Sequence, residues 1–236
     1  MLQKPSSRKA KRAPLLRERN VEARRQRILT AARSLLREGG LRGLSMRKLA
    51  REAQLSVNTL YNLWGTREEI LEALFLDAKD RIDELIPAAT LPEDPVDHCR
   101  ALIRDTVREV VADERVYRAM ILARIEGAIA GYHYSAEVMA HVVRRLAAAI
   151  KVARKTGIVD STLKPKQVAL QIHQGFDVAA LEWAFGGLDD AQFEARALYG
   201  LNLALLAIVH ADYRPEIEAT LRTLERKLRN SAEVPQ

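Results

Sequence analysis

Between Ser45 and Arg67 the chain gathers small hydroxyl, amide and aromatic side chains at helical spacing: Ser56, Val57, Asn58, Thr59, Tyr61 and Asn62. None is a nucleophile beside a base, and none belongs to a metal-ligand set. Their shared chemistry is hydrogen bonding and light apolar contact. Asn58 and Thr59 can read donors and acceptors on base edges, and Val57 can pack on a thymine methyl. Tyr61 and Asn62 can reach phosphates or bases. A helix that enters a major groove by its N-terminal end needs short side chains there, not bulky charged ones. Arg67 adds a cation to the free N–H groups opening a further helix, a combination that holds phosphate. Ser45 and Arg47 offer the same at the helix before. Taken singly, each is as well explained by solvated surface, and Tyr61 by a packed core aromatic; taken together, their spacing points to DNA.

Two short helices must position these groups. Leu49, Ala53, Leu55, Leu60 and Leu63 supply an apolar inside, and small Ala50 lets the helices cross closely. Ser45 and Ser56 are suitable N-caps, since a hydroxyl can accept from an unpaired backbone N–H. The pattern is a helix-turn-helix. A third helix precedes it, about 21–38, with Ile28, Leu29, Ala32, Leu35 and Leu36 on one stripe and Gly39 and Gly40 at its end. A fourth follows from Arg67 to about Leu85, capped by Thr66, with Glu68 and Glu69 at its positive end.

The segment LYNLWGTREEI (60–70) resembles the end of the recognition helix and the start of the next helix in TetR (tetracycline-repressor-like) regulators. Tyr61, Thr66, Glu68 and Ile70 fit that family's pattern. Trp64 stands for its usual Phe, and Arg67 for its Lys. Leu63 departs from its His, and Gln54 occupies a turn position where Gly is usual. Upstream, LSMRKLAREAQLS is similar to the family's Leu-Thr-Met-Arg-x-Leu-Ala run. The resemblance covers about residues 24–75. It implies a homodimer on a double-stranded, palindromic operator, and a helical body that binds a small-molecule effector.

Charge is unevenly distributed. The 236 residues carry a formal +7, but residues 1–27 hold ten Lys/Arg against Glu18 and Glu22, so the other 209 residues sum to −1. A basic end beside a helix-turn-helix favours a polyanion partner. Residues 1–20, with Pro5 and Pro14 and no apolar period, read as a basic flexible arm that follows phosphates or lies in a minor groove. The plain alternative is a solvated tail. No apolar run suits a signal peptide or spans a bilayer, and a lone Cys99 excludes an internal disulfide and suits a cytoplasmic protein.

The rest, 71–230, reads as an all-α effector-binding and dimerisation domain after the linker ATLPEDP. Helices are expected at about 96–112, 115–125, 135–155 and 165–185, then from Asp189 or Asp190 to about 211, and from Pro215 on. Gly127 and Gly131 should break the second of these, and Ser135 should cap the third. Two helices are apolar almost all round, which suits a core or a shared interface. In the family such helices pair across a two-fold axis, which implies an interface of Ile172, Phe176, Ala180, Trp183, Gly200, Leu201, Ala204 and Leu205. An effector cavity would be lined by Tyr117, Met120, Ile121, Arg124, Met139, Val143, His173 and Phe176. Arg124 is singled out there because a buried Arg needs an anion.

No Gly-rich phosphate loop, paired Cys motif, HExxH or histidine pair at helical spacing occurs, so no enzyme activity, metal or cofactor is expected. The sequence therefore reads as a ligand-responsive repressor. Its rival is a non-specific architectural DNA-binding protein that uses the basic arm alone.

Overall fold

The computed structural model describes residues 8–85, 94–131 and 137–230. The described residues are all-α. Their only extended pairing is an isolated antiparallel bridge between Val159 and Val209. The chain divides into two compact units, Met1–Leu74 and Phe75–Gln236.

In the first unit, α1 spans Arg8–Gly43 with a break at Gly40 (φ 56°, ψ −157°), a conformation glycine adopts without a Cβ penalty. Ile28, Leu29, Ala32, Leu35 and Leu36 are buried, the stripe expected from their spacing. The helix begins earlier than expected. Residues 8–20, assigned to a flexible arm, continue α1, because the Lys, Arg, Ala and Leu that fill them are good helix formers. Pro14 lies inside that stretch, and residues 1–7 lie outside the described residues.

Helix α2 is Met46–Glu52 and α3 is Val57–Trp64. Ser45 Oγ accepts from Lys48 N (3.3 Å) and Ser56 Oγ accepts from Thr59 N (3.0 Å), so both expected caps form. Leu49, Ala50, Ala53 and Leu60 fill the space between the helices. The turn has a definite construction. Leu55 N donates to Ala50 O (2.8 Å) and Gln54 N donates to Arg51 O (3.1 Å). This is the Schellman pattern, which needs a left-handed residue just past the helix end. Gln54 takes that role at φ 55°.

Helix α4 (Arg67–Leu85) opens on a reciprocal cap: Thr66 N donates to Glu69 Oε2 (2.6 Å) and Glu69 N donates to Thr66 Oγ1 (3.2 Å). Gly65 precedes it at φ 78°, and a Cβ there would run into the Glu69 carboxylate. Its first two turns, with buried Ile70, Leu71 and Leu74, fall in the first unit.

The second unit holds the rest of α4, then α5 (Pro95–Ala112), α6 (Glu114–Ile129), α7 (Glu137–Lys155), α8 (Pro165–Ala184), α9 (Asp190–Leu206), a 3-10 turn (Ala211–Tyr213) and α10 (Arg214–Asn230). Helix α8 packs on α6, α7 and α9; α9 packs on α5, α8 and α10. Gly127 is buried within α6 rather than breaking it, and the helix closes at Gly131 (φ 82°). Ser135 lies outside the described residues. Helix α9 opens on a full capping box between Asp189 and Gln192 and stops at Leu206, short of the expected 211. Trp183 stacks on Phe193 (centroids 5.3 Å apart) at the core, with both side chains fully enclosed.

A glutamine held left-handed costs about 1–2 kcal/mol relative to glycine's freedom there. Glycine in turn releases about 0.5–1 kcal/mol more chain entropy on unfolding. Gln54→Gly should therefore stabilise the head by about 0.5–1 kcal/mol net, and Gln54→Val should destabilise it. Amide hydrogen exchange across α2 and α3 of the full chain reads both; a destabilised glycine variant would show that the turn is unstrained.

Candidate nucleic-acid interface

Helix α3 has two sides. Leu60 has no exposed surface, and around it Val57, Thr59, Leu63 and Trp64 are half-buried. The outer side carries Asn58, Tyr61 and Asn62 at positions i, i+3 and i+4, all exposed, with Tyr61 at 50%. That settles Tyr61 as a surface aromatic rather than a core one. Val57 and Thr59, expected to face outward with Asn58, do so only in part. Thr59 is also occupied: its hydroxyl lies 2.7 Å from Ser56 Oγ, and its N–H donates to the same oxygen. Ser56 is thus exposed but committed to the cap.

Around this uncharged tip stand cations. Arg47, Lys48 and Arg51 of α2 are exposed; Lys48 and Arg51 were not singled out from sequence, although they share one helix with Arg47. Ser45 is exposed with its hydroxyl engaged by Lys48 N. Arg67 is half-buried and pairs with Glu68 (Nε–Oε1 3.3 Å), so it opens α4 partly neutralised. The Arg25 guanidinium lies 5.4 Å above the Trp64 ring, tying α1 to the end of α3. A cation over an indole face contributes about 0.5–2 kcal/mol. Periodicity could not reveal this pair, which is 39 residues apart in sequence.

Residues 28–74 match the family model described as "Bacterial regulatory proteins, tetR family". The match covers this head alone, 47 of the 236 residues. Solved structures share the fold. SmeT, the repressor of the Stenotrophomonas maltophilia multidrug efflux pump SmeDEF, is 21% identical at a TM-score of 0.60, over 79% of this chain and 91% of SmeT. A TetR-family transcriptional regulator from Pectobacterium atrosepticum is 24% identical at 0.60, over 80% and 93%. Thermus thermophilus FadR, a TetR-family transcriptional repressor solved with lauroyl-CoA, is 20% identical at 0.58, over 77% and 93%. No curated protein sequence matches the chain significantly.

In the second unit the residues expected to line an effector cavity differ in burial and in partners. Tyr117 is buried and already employed: its hydroxyl donates to Glu109 Oε1 (2.8 Å) and accepts from Arg81 Nη2 (3.0 Å). Met120, Ile121 and Val143 are core, while Met139 is 39% exposed. Arg124 is not the buried arginine expected. Its side chain is 41% exposed and pairs with Asp177 at 3.4 Å, because α6 presents it at the edge rather than inward. His173 is buried on the same carboxylate, 3.6 Å away, and burial, more than Asp177 or Arg124, sets its pKa below the usual histidine value. Phe176 is half-buried against Phe193 (5.6 Å). Asp177 was missed, although its place four residues after His173 was visible.

The expected dimer residues need a larger correction. Ile172, Ala180, Trp183, Leu201 and Leu205 are buried inside the protomer. Trp183 is locked there, with Nε1 donating to Asp190 Oδ1 (2.8 Å) and Arg118 4.3 Å above its ring. Phe176, Gly200 and Ala204 are half-buried. The apolar groups left open on these helices are Val178 (58% exposed), Phe185 (68%) and Leu203 (52%). Helices apolar almost all round spend that surface within the protomer, α8 on α6, α7 and α9, and α9 on α5, α8 and α10, which a two-helix reading of the sequence overlooks.

The buried arginine is Arg145 of α7, and its anion is Asp83 of α4 (2.8 Å), which also meets His141 (2.7 Å) and Lys79 (3.3 Å). Two residues earlier on α4, Arg81 bonds Asp77, Glu109 (2.7 Å) and Tyr117. Desolvation opposes the Arg81 charge, and Glu109 and Tyr117 more than offset it. Cys99 is enclosed, and burial pushes its thiol up to about 12, so it is an inert apolar filler.

Burial alone would raise the Asp83 carboxyl, but His141 and then Lys79 outweigh it and hold it below the usual carboxylate value. A lowered folded value means its stabilisation is complete above the unfolded value near 4 and is lost as pH falls through the folded one. Asp83→Asn should cost about 1–3 kcal/mol at pH 7, because the buried Arg145 guanidinium loses a charge-assisted hydrogen bond. Urea unfolding should find wild type and variant converging toward pH 3. A gap that persists in acid would mean that Asp83 acts by packing.

Proposed function

We propose that this chain is a sequence-specific, ligand-responsive transcriptional repressor that acts in the cytoplasm as a homodimer on a palindromic operator. The observation that carries it is the outer side of α3. Asn58, Tyr61 and Asn62 are exposed together on a capped helix whose back is closed by Leu60. An amide can make paired hydrogen bonds to adenine, and Tyr61 reaches a phosphate or a base edge. The cations of α2 and Arg67 at the start of α4 supply phosphate contacts that fix register.

Two copies would place their heads in successive major grooves, about 34 Å apart or slightly more. For the dimer contact, α8 and α9 offer Val178, Phe185 and Leu203 beside Gly175 and Gly200, whose lack of side chain lets helices approach closely. The Arg196–Glu182 pair (3.9 Å) links the two helices along that face. An effector bound in the body, near Arg124, Asp177 and His173, would act by favouring one of two head spacings, as far as its affinities for the two states differ. FadR's lauroyl-CoA is a small-molecule ligand in a protein of this fold.

Selection from a random duplex pool tests the reading directly. It should yield a palindrome preferred over random DNA by roughly 10³-fold or more. Equal binding of all sequences would instead leave an architectural protein. On the selected site, Asn58→Ala should cost about 1–3 kcal/mol and relax preference at one or two base pairs, with thermal stability unchanged. Val178→Glu should weaken the dimer by at least about 30-fold in sedimentation, as expected at an interface hot spot. An unmoved monomer–dimer balance would send the interface elsewhere.

A further inference from the structure

Helix α1 starts at Arg8, and Ile28, 20 residues on, is fully buried. From Asn20 to Arg27 it meets little of the protein: Val21 is partly covered and every other residue is exposed. A helix normally buries a stripe, and the turns over residues 20–27, where only Val21 is partly covered, need another reason to exist. Short helices are marginal alone in water, and like charges three or four apart weaken them further. Here the load is heavy. Residues 8–27 carry nine Lys/Arg against Glu18 and Glu22, a net +7. At 1.5 Å per residue they span about 30 Å, close to one turn of duplex DNA.

Position supplies the second observation. Arg25 sits on Trp64, the last residue of α3, one turn from the exposed Tyr61 and Asn62. The charged part of α1 therefore leaves the head beside the reading helix. Its chemistry fits one partner: a continuous line of phosphates.

We propose that residues 8–27 form a second DNA-contacting element, a basic helix that runs along the phosphate backbone outside the half-site read by α3. This rests on the DNA-binding reading above and extends it to the flanking DNA. The helix adds affinity and footprint without sequence preference. Neutralisation by phosphate removes the repulsion along its length.

The test uses the full chain and a variant with Lys9, Lys11, Arg12, Arg17 and Arg19 changed to Gln, plus a second with the same arginines changed to Lys. Affinity is measured by fluorescence anisotropy from about 50 to 200 mM salt, on the selected site with about 4 or about 14 flanking base pairs. Each phosphate contact contributes about 0.9 to the salt slope. On the long duplex the Gln variant should lose about three contacts, so its drop in affinity across that range is about 40-fold smaller. The Lys variant should match wild type, and on the short duplex all three should converge. Equal slopes for wild type and the Gln variant on the long duplex overturn the proposal, as does a variant that changes only base preference. If wild type selects no site, the regulator reading fails alone: the charge-dependent slope on random duplex still decides the helix.

Discussion

Leu60 has no exposed surface, and the outer face of α3 depends on that burial. An eight-residue helix is too short to hold itself together in water, so its order must be imposed from behind and from its end. Leu60 against Leu49, Ala50 and Ala53 supplies the first, and Ser56 the second. Removing a leucine from such a site costs about 2–5 kcal/mol. The gain from that burial is what holds Asn58, Tyr61 and Asn62 on one rigid ridge, where their hydrogen-bond directions are set before any partner arrives.

The same principle works in the body with charge in place of hydrocarbon. Helix α4 gives Arg81 to Glu109 and Tyr117 on α5 and α6, and Asp83 to His141 and Arg145 on α7. Partly buried ion pairs add little net stability, because desolvation consumes most of the attraction. Their value is geometric. A bonded carboxylate tolerates little displacement, whereas an apolar contact slides. Two such clusters on one helix end fix its rotation and its height.

Much of this was legible in the sequence. Period-3.6 stripes gave α1 and α10, Ser45 and Ser56 gave the caps, and the turn anomaly at Gln54 stood out because glycine is expected there. The misses have a common physical origin. A stripe says that a face is buried, not what buries it, so Trp183 and Leu201 were assigned to a second subunit although α9 and its neighbours cover them within the protomer. Likewise, the rule that a buried arginine needs an anion is sound, but helix register alone did not show that Arg145, not Arg124, is the enclosed one. Pairs distant in the chain, such as Arg25 with Trp64 or Asp83 with Arg145, leave no periodic trace at all. The extent of α1 was missed for a different reason: proline and charge at residues 8–20 were weighed above the helix propensity of the Lys, Arg, Ala and Leu there.

The head separates two demands that conflict on a single surface. Discrimination needs directional groups whose misplacement is costly, and a full charge blurs this, because a cation near a phosphate is attracted whatever the base. The ridge of Asn58, Tyr61 and Asn62 carries no charge at all. Affinity needs cations, and these stand beside it on α2 and along α1. On the reading proposed above, the two functions lie on different helices, so charge added to α1 raises affinity without touching the groups proposed to read a base. The second unit, 75–236, holds 21 Lys/Arg against 24 Asp/Glu, a net −3, and so adds no net attraction to a polyanion.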